Sequence, residues 1–148
     1  MSDVVDKVTR SRMMSGIKGK DTKPELQIRQ VLHRRGFRYR LHVSNLPGKP
    51  DLVFPKYHAV IQIHGCFWHR HQCHMFKWPK SRTGFWQEKI NANALRDMQN
   101  DLLLAERGWR VLTVWECSMK GKLRKPLDEL GDEIVTWLTE REPSQSIP

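Results

Sequence analysis

The run Ala59-Val60-Ile61-Gln62-Ile63-His64-Gly65-Cys66-Phe67-Trp68-His69-Arg70-His71-Gln72-Cys73 changes character at its middle. Residues 59–63 are almost continuously apolar, the pattern of a central strand buried on both faces. From His64 onward the periodicity is lost. The ten residues 64–73 hold three of the seven histidines, two of the three cysteines and two large aromatics. A packed core does not need that mixture. Cysteine and histidine suit a metal, and aromatic rings suit stacking on bases. The fold is therefore read as a sheet that ends in a loop carrying chemistry.

The neighbouring segments complete the sheet. Thr22-Lys23-Pro24-Glu25 is a helix start, with Thr22 as cap, Pro24 in the first turn and Glu25 completing a capping box. Ile28, Val31 and Leu32 form its apolar stripe and Gly36 stops it. Residues 37–43 alternate as a strand, 45–50 make a turn, and 51–54 pair with 59–63. The Cys/His segment runs as a loop to about Thr83. A long helix follows over 85–106, with the stripe Ile90, Ala94, Met98, Leu102 and Ala105, Leu95 beside it, and Gly108 at its end. Residues 109–116 form another strand and 127–138 a closing helix. The order α-β-β-β-loop-α-β-α predicts an α/β domain, a mixed central sheet flanked by helices. Residues 1–20 read as an N-terminal arm, 21–142 as the domain and 143–148 as a flexible, frayed tail.

Of the 148 residues, 26 are Lys or Arg and 16 are Asp or Glu, a net charge of +10. A folded domain this basic points to a polyanion, with nucleic acid the first candidate. A run of about 18 apolar residues, a signal-peptide core and a lipidation signal are all absent, so a soluble cytosolic protein without membrane association is expected. There the three cysteines stay reduced, and their odd number argues against a disulfide framework.

Cys66, Cys73 and Cys117 with one of His69, His71 and His74 make a Cys3His set, which suits a closed tetrahedral structural zinc. Spacing alone leaves the histidine open. A second constellation uses the adjacent strands. Asp51 follows Pro50 at the start of one, and Gln62-Ile63-His64 ends the other, so a carboxylate, a backbone carbonyl and an imidazole converge. Oxygen ligands suit Mg2+, and a nearby histidine can move a proton. On the long helix Asp97 falls on the inward azimuth of Ile90 and Ala94, where a carboxylate needs a partner. Asp101 shares that face one turn later without evident reason. Trp109, Trp115 and Trp137 read as core, whereas Phe67 and Trp68 are too bulky and too adjacent both to be buried.

The Pro50-Asp51 and Gln62-Ile63-His64 pair resembles the pattern of the restriction-endonuclease-like nucleases, which is Pro-Asp, a gap, then Asp/Glu-x-Lys. Gln62 and His64 stand where the acid and the lysine would be. One branch shares that departure, the very short patch repair endonucleases, and the resemblance to it covers nearly the whole chain. It runs through Arg10-Ser11 with Met13-Met14 and Ile17, Thr22-x-Pro24-Glu25, Leu46-Pro47-Gly48-Lys49-Pro50-Asp51 and His64-Gly65-Cys66-Phe67-Trp68-His69. It continues in Phe85-Trp86-x-Glu88-Lys89-Ile90, Arg96-Asp97, and Trp109-Arg110-Val111-Leu112 through Trp115-Glu116-Cys117.

The resemblance implies a restriction-endonuclease-like fold with a structural zinc on Cys66, His71, Cys73 and Cys117. It implies catalytic Mg2+ on Asp51 and the Ile63 carbonyl, His69 activating water, His64 paired with Asp97 across the phosphate, and Glu25 holding metal-bound water. Phe67, Trp68 and Trp86 would wedge between bases beside a T:G mispair, with Met14 (or Met13) pressing from the other groove. Apart from the resemblance, the net charge of +10 leads to the expectation that Arg10, Arg12, Lys18 and Lys20 touch phosphates. The implied reaction is a nick 5′ of the mispaired thymine left by 5-methylcytosine deamination. The implied setting is the bacterial cytoplasm, at the nucleoid, with a monomeric enzyme linked to mismatch-repair proteins and to a cytosine-5 DNA methyltransferase. Two other classes compete: a zinc-stabilised DNA-binding module, which has no use for Asp51, His64 and His69, and a Cys/His-rich ββα-metal nuclease, which has no use for Pro50-Asp51.

Overall fold

The computed structural model describes residues 22–148, so the N-terminal arm, Met13, Met14 and the basic run through Lys20 lie outside the described residues. The elements are α1 (Lys23–Arg34), β1 (Arg40–Leu41), β2 (Leu52–Phe54), a short 3-10 turn (Pro55–Tyr57), β3 (Ala59–His64), α2 (Thr83–Glu106), β4 (Arg110–Trp115), a second 3-10 turn (Glu116–Ser118), α3 (Leu127–Thr139) and β5 (Gln145–Ile147). The strands make one mixed sheet in the order β1-β2-β3-β4-β5. β1, β2 and β3 are antiparallel neighbours, and β3, β4 and β5 run parallel.

Two-residue periodicity divides the sheet between two cores. Leu52, Phe54, Ala59, Ile61, Leu112, Val114 and Ile147 face one side, against Ile28 and Leu32 of α1 and Leu130, Ile134, Trp137 and Leu138 of α3. Val53, Val60 and Val111 face the other, against Leu104 of α2. Helices therefore cover both faces, and the central strands are apolar on both sides, as the run at 59–63 predicted. No helix among the described residues is long and apolar enough to cross a membrane.

The structure differs from the sequence expectations in four places. Thr22 makes no side-chain cap bond, so the capping box is not formed; Glu25 turns inward and pairs with Arg29 at 3.1 Å. The alternation over 37–43 yields only the two-residue edge strand β1. The expected stripe of α2 is misplaced: Met98 and Leu102 are about 60 % exposed, and the helix is anchored by Ile90 and Leu104. At about 100° per residue, Ile90, Asp97, Asp101 and Leu104 share one azimuth, and Met98 and Leu102 lie about a quarter-turn or more away. Polar residues occupy the sheet-facing line because the site lies there.

The fourth difference is the tail. Residues 145–147 form β5, pairing Leu112 with Gln145 and Val114 with Ile147, whose side chain is 4 % exposed. The segment leading to it is fastened by side chains. Trp137 Nε1 donates to the Pro143 carbonyl, Arg110 donates to the Glu142 and Trp137 carbonyls, and Ser144 Oγ accepts from Val111 N–H. A three-residue strand is too short to show a period, so its sequence reads as a frayed end. Deleting residues 143–148 should cost about 2–4 kcal/mol, through lost apolar burial and orphaned buried donors. The measurement is the denaturant midpoint; an unchanged midpoint would mean that β5 adds nothing.

Candidate active site and metal centre

The parallel pairing of β3 and β4 builds both parts of the site. The ladder ends at His64 opposite Trp115. Cys66 and Cys117 stand two residues beyond each end, so residues far apart in sequence leave the sheet side by side. The site thus lies outside the carboxyl ends of parallel strands, the usual place for ligands in such sheets.

Cys66, His71, Cys73 and Cys117 bring their ligand atoms within 4.8 Å of one another. His71 Nδ1 is 3.5 Å from both Cys66 Sγ and Cys117 Sγ. Ligands of a tetrahedral zinc with the usual Zn–S and Zn–N bonds stand about 3.6 Å apart, so the donor set fits that ion. The electrostatics agree. Burial pushes the Cys66 and Cys117 thiols up, and Cys73 pushes both further, so thiolates gathered here need a cation. Burial lowers His71 and keeps its ring neutral. The ring stacks on Trp115 at 4.1 Å, which places Trp115 in the wall of the site rather than in the core. Trp137 is fully buried, as expected. Of the three histidines left open by spacing, His71 joins the cysteines, His69 joins Asp97, and His74 packs near Gly121 outside the cluster.

A cleft of about 520 Å³ opens beside this centre, lined by Glu25, Ile63, His64, His69 and the rings of Phe67 and Trp68. Antiparallel pairing of Leu52 with Ile61 sets Asp51 at the end of β3, where Asp51 Oδ2 accepts from Ile63 N–H at 2.7 Å. Burial pushes the Asp51 carboxyl up to about 7. The Ile63 N–H opposes this, and the Glu25 carboxyl, which shares a hydrogen bond with Asp51, adds to it. Two buried carboxyls that repel each other beside a backbone carbonyl are an oxygen donor set that fits a hard divalent cation.

His64 and His69 stack at 3.9 Å with rings 6° from parallel. His69 Nδ1 hydrogen-bonds to Asp97 Oδ2. Asp97 therefore pairs with His69, not with His64 as expected, because the loop folds His69 back between β3 and α2. Burial pushes His64 down to about 3, with His69 adding to the shift and Asp97 opposing it, so its ring is neutral at ordinary pH.

Phe67, Trp68 and Trp86 form one aromatic cluster, with centroids 5.2, 5.6 and 5.9 Å apart. All three are partly exposed. Sequence reasoning missed Lys89, Asn93 and Glu116, which also line the cleft. Asn93 Nδ2 donates to the Trp68 carbonyl at 3.1 Å and so braces the aromatic blade. Lys89 and Asn93 are spaced i, i+4, so their shared face was visible. Which way that face points was not, because the apolar stripe of α2 misleads. The Pro50-Asp51 edge of an extended sheet also sets this arrangement apart from a ββα-metal motif.

The family model for "DNA mismatch endonuclease Vsr" matches residues 2–75. The DNA mismatch endonuclease Vsr of Escherichia coli K12 is 44 % identical over 93 % of this chain and 88 % of its own length. The type II nicking enzyme V.XorIIP of Xanthomonas oryzae pv. oryzae is 42 % identical over 86 % of this chain and 98 % of its own. The type II nicking enzyme V.NmeAIP of Neisseria meningitidis serogroup A is 45 % identical over 90 % and 97 %.

Two outcomes follow from this geometry. Cys73→Ser and Cys117→Ser should each remove the bound metal, read by mass spectrometry of the native protein, and lower Tm by about 10 °C or more. The second concerns linkage in the metal-free protein. Asp51 binds its proton more tightly folded than unfolded, so between 3.8 and about 7 it makes stability rise as pH falls. His64 does the opposite between 6.5 and about 3, because only the unfolded chain takes up the proton. The two offset each other where the windows overlap. Asp51→Asn removes one side, so Tm should fall more steeply with acidification below about pH 6.5 than in the parent protein. Equal slopes in a thermal scan would contradict the tighter proton binding of folded Asp51.

Proposed function

Because the chain belongs to the DNA mismatch endonuclease Vsr family and is a nuclease, we propose that it nicks duplex DNA 5′ of the thymine of a T:G mispair, starting very short patch repair of deaminated 5-methylcytosine. The observation that carries the chemistry is the His69–Asp97 pair set beside the Asp51–Glu25–Ile63 oxygen cluster in one cleft with Phe67 and Trp68.

Asp51 and the Ile63 carbonyl would hold Mg2+, with Glu25 holding metal-bound water. When bound, the ion polarises the scissile phosphate and neutralises the charge that develops on it. His69 donates its Nδ1–H to the Asp97 carboxylate as a hydrogen bond, which leaves Nε2 as acceptor for a proton from the attacking water. His64, neutral and stacked on His69, offers an N–H to the phosphate rather than a charge. The zinc on Cys66, His71, Cys73 and Cys117 is structural and fixes the loop carrying His64, His69 and the aromatic pair.

Phe67, Trp68 and Trp86 enter the stack next to the mispair, where a T:G pair is easier to unstack than a matched one. Residues 1–20 form the arm that adds Met14 from the opposite groove and contacts phosphates. The enzyme acts as a monomer in the bacterial cytoplasm, in concert with mismatch-repair proteins. Its context preference matches that of a cytosine-5 DNA methyltransferase, whose sites generate the lesion.

The test uses labelled duplexes with a T:G mispair in varied contexts, and matched T:A and C:G controls. The expected result is a nick confined to the thymine strand, dependent on Mg2+ and reduced by about 10³-fold or more in Asp51→Ala and His69→Ala. Trp68→Ala should lower mismatch preference more than it lowers the rate on a pre-nicked or unpaired site. Cutting of matched DNA on both strands would overturn the mismatch assignment.

A further inference from the structure

The turn before β2 and the middle of α2 meet at a point that the chemistry above does not use. Lys49 N–H donates to the Leu46 carbonyl at 3.1 Å, which closes the turn Leu46-Pro47-Gly48-Lys49. Pro47 in its second place and Gly48 in its third, with φ +73°, are what a type II turn requires. The turn leans on α2 through that glycine. A Cβ at Gly48 would stand 3.0 Å from Asn100 Nδ2, 3.1 Å from Asn100 Cβ and 3.2 Å from Asn100 Cγ. The backbone thus approaches the helix more closely than a side chain at position 48 leaves room for.

The contact is one point on a longer seam. Leu46 packs against the cluster of Val53, Val60, Leu104 and Val111, and Arg107 Nη1 lies 3.5 Å from the Asn45 carbonyl. Asn100, Leu104 and Arg107 follow one another at intervals of about one turn along a single face of the helix. Asp97 lies on that face one turn before Asn100. On the other side of the seam the chain passes through buried Pro50 into Asp51, three residues after Gly48. The segment that delivers Asp51 is therefore docked on the helix that delivers Asp97. The helix needs such a fixed point. Of its 24 residues only Ile90 and Leu104 are buried, and Met98 and Leu102 are about 60 % exposed, so apolar burial alone holds it weakly.

We propose that the Gly48–Asn100 contact sets the spacing between the two halves of the cleft, with Asp51 on one side and Asp97, and through it His69, on the other. Gly48 and Asn100 are positioning residues, since neither meets the reacting atoms. The glycine serves twice, for its φ and for the close approach. A methyl group there pushes Asn100, and α2 with it, by a few tenths of an ångström. That is enough to spoil the alignment between a metal-held phosphate and the imidazole that accepts the proton of the attacking water.

The part played by His69 rests on the proposed function, so the first measurement does not use activity. Nitrogen–proton correlation spectra of the imidazole rings are recorded on the whole protein, with the His69 signals assigned from His69→Ala. Those signals should move in Gly48→Ala and return toward the parent positions in Gly48→Ala/Asn100→Gly, where the three obstructing atoms are relieved. His69 signals that stay in place in Gly48→Ala would overturn the proposal.

The second measurement is the nicking rate on T:G duplexes, with folding checked by thermal unfolding. Gly48→Ala should lose about tenfold in kcat at unchanged KM for DNA. Its Mg2+ half-saturation should also stay unchanged, because Asp51 keeps its bond from Ile63 N–H. Asn100→Gly should lose about threefold, and the double variant should recover to within about threefold of the parent. Losses that simply multiply would place the effect in backbone strain at position 48 and overturn the contact. Asn100→Phe keeps the glycine and applies the push from the helix side, which covers a Gly48→Ala protein that fails to fold; a parent rate in Asn100→Phe would also sink the idea. A parent protein that nicks no duplex, with His69 signals that move and return as expected, would instead refute the proposed function and leave the coupling standing.

Discussion

The rest of the molecule depends on the hydrogen-bonded ladder between β3 and β4. Because the strands are parallel and in register to their last pair, residues that follow each of them leave the sheet together. His64 and Trp115 end the ladder, and Cys66 and Cys117 are the next inward-pointing positions beyond it. A shift of one residue would turn every side chain to the other face. It would separate Cys66 from Cys117, expose Val60 and Val111 to the wrong helix and swing His64 away from the cleft. The register is held by burial on both faces of both strands, so the apolar core and the metal centre enforce the same alignment. The ligand cluster in turn returns stability to the sheet by tying the irregular loop to two strand ends.

The site concentrates groups whose ionisation the protein opposes. Asp51 is pushed up, His64 is pushed down, and both shifts have burial as their first cause. His69 Nδ1 is hydrogen-bonded to Asp97 Oδ2. Titratable groups driven apart by their surroundings are the ordinary mark of assigned acid and base roles. Here the division is spatial. Carboxyl groups lie toward α1 and β2, where Glu25 and Asp51 share a hydrogen bond. Imidazoles lie toward α2, where a carboxylate orients one ring and apolar surroundings neutralise the other. On the proposed function, the scissile phosphate would lie between the two halves and meet both.

Much of this was legible in the sequence, for particular reasons. The strand at 59–64 announced itself by an apolar run that stops at a histidine. The long helix, the Gly36 and Gly108 stops and the Cys3His set follow from period, conformational freedom and ligand chemistry. Glu25 was ambiguous because a capping box and a buried acid use the same residue type, and only the tertiary position of Asp51 decides between them. The rotation of α2 was misread because its most apolar line, through Met98 and Leu102, is not the line that meets the sheet. Periodicity finds the hydrophobic face of a helix and assumes it to be the buried one. Where a helix lends its inner face to a site, Asp97 and Asp101 take the buried azimuth and the inference inverts. β5 was lost to a different cause, since three residues carry no period and its stability comes from Arg110, Trp137 and Ser144 elsewhere in the chain.

On the proposed function, the aromatic blade explains why a domain of this size gathers three cysteines and a histidine at one point. Phe67 and Trp68 are adjacent on a loop, and a loop alone would relax under the force needed to part a base step, which costs a few kcal/mol. The wedge must be stiffer than the stack it opens. Cys66 lies immediately before the pair, and His71 and Cys73 follow within a few residues, so both ends of the blade are tethered to one centre. Asn93 holds the Trp68 carbonyl from α2, and Trp86 packs against both rings from the first turns of the same helix. His69 lies inside that tethered segment. On the proposed function, insertion of the rings and placement of the His69 imidazole would therefore be one rigid-body event, and the water-activating group would reach its working position only where the neighbouring bases can be parted. A T:G mispair lowers the cost of that parting relative to a matched pair. On that reading, selectivity for the lesion would follow from the mechanics of the loop before any base edge is read.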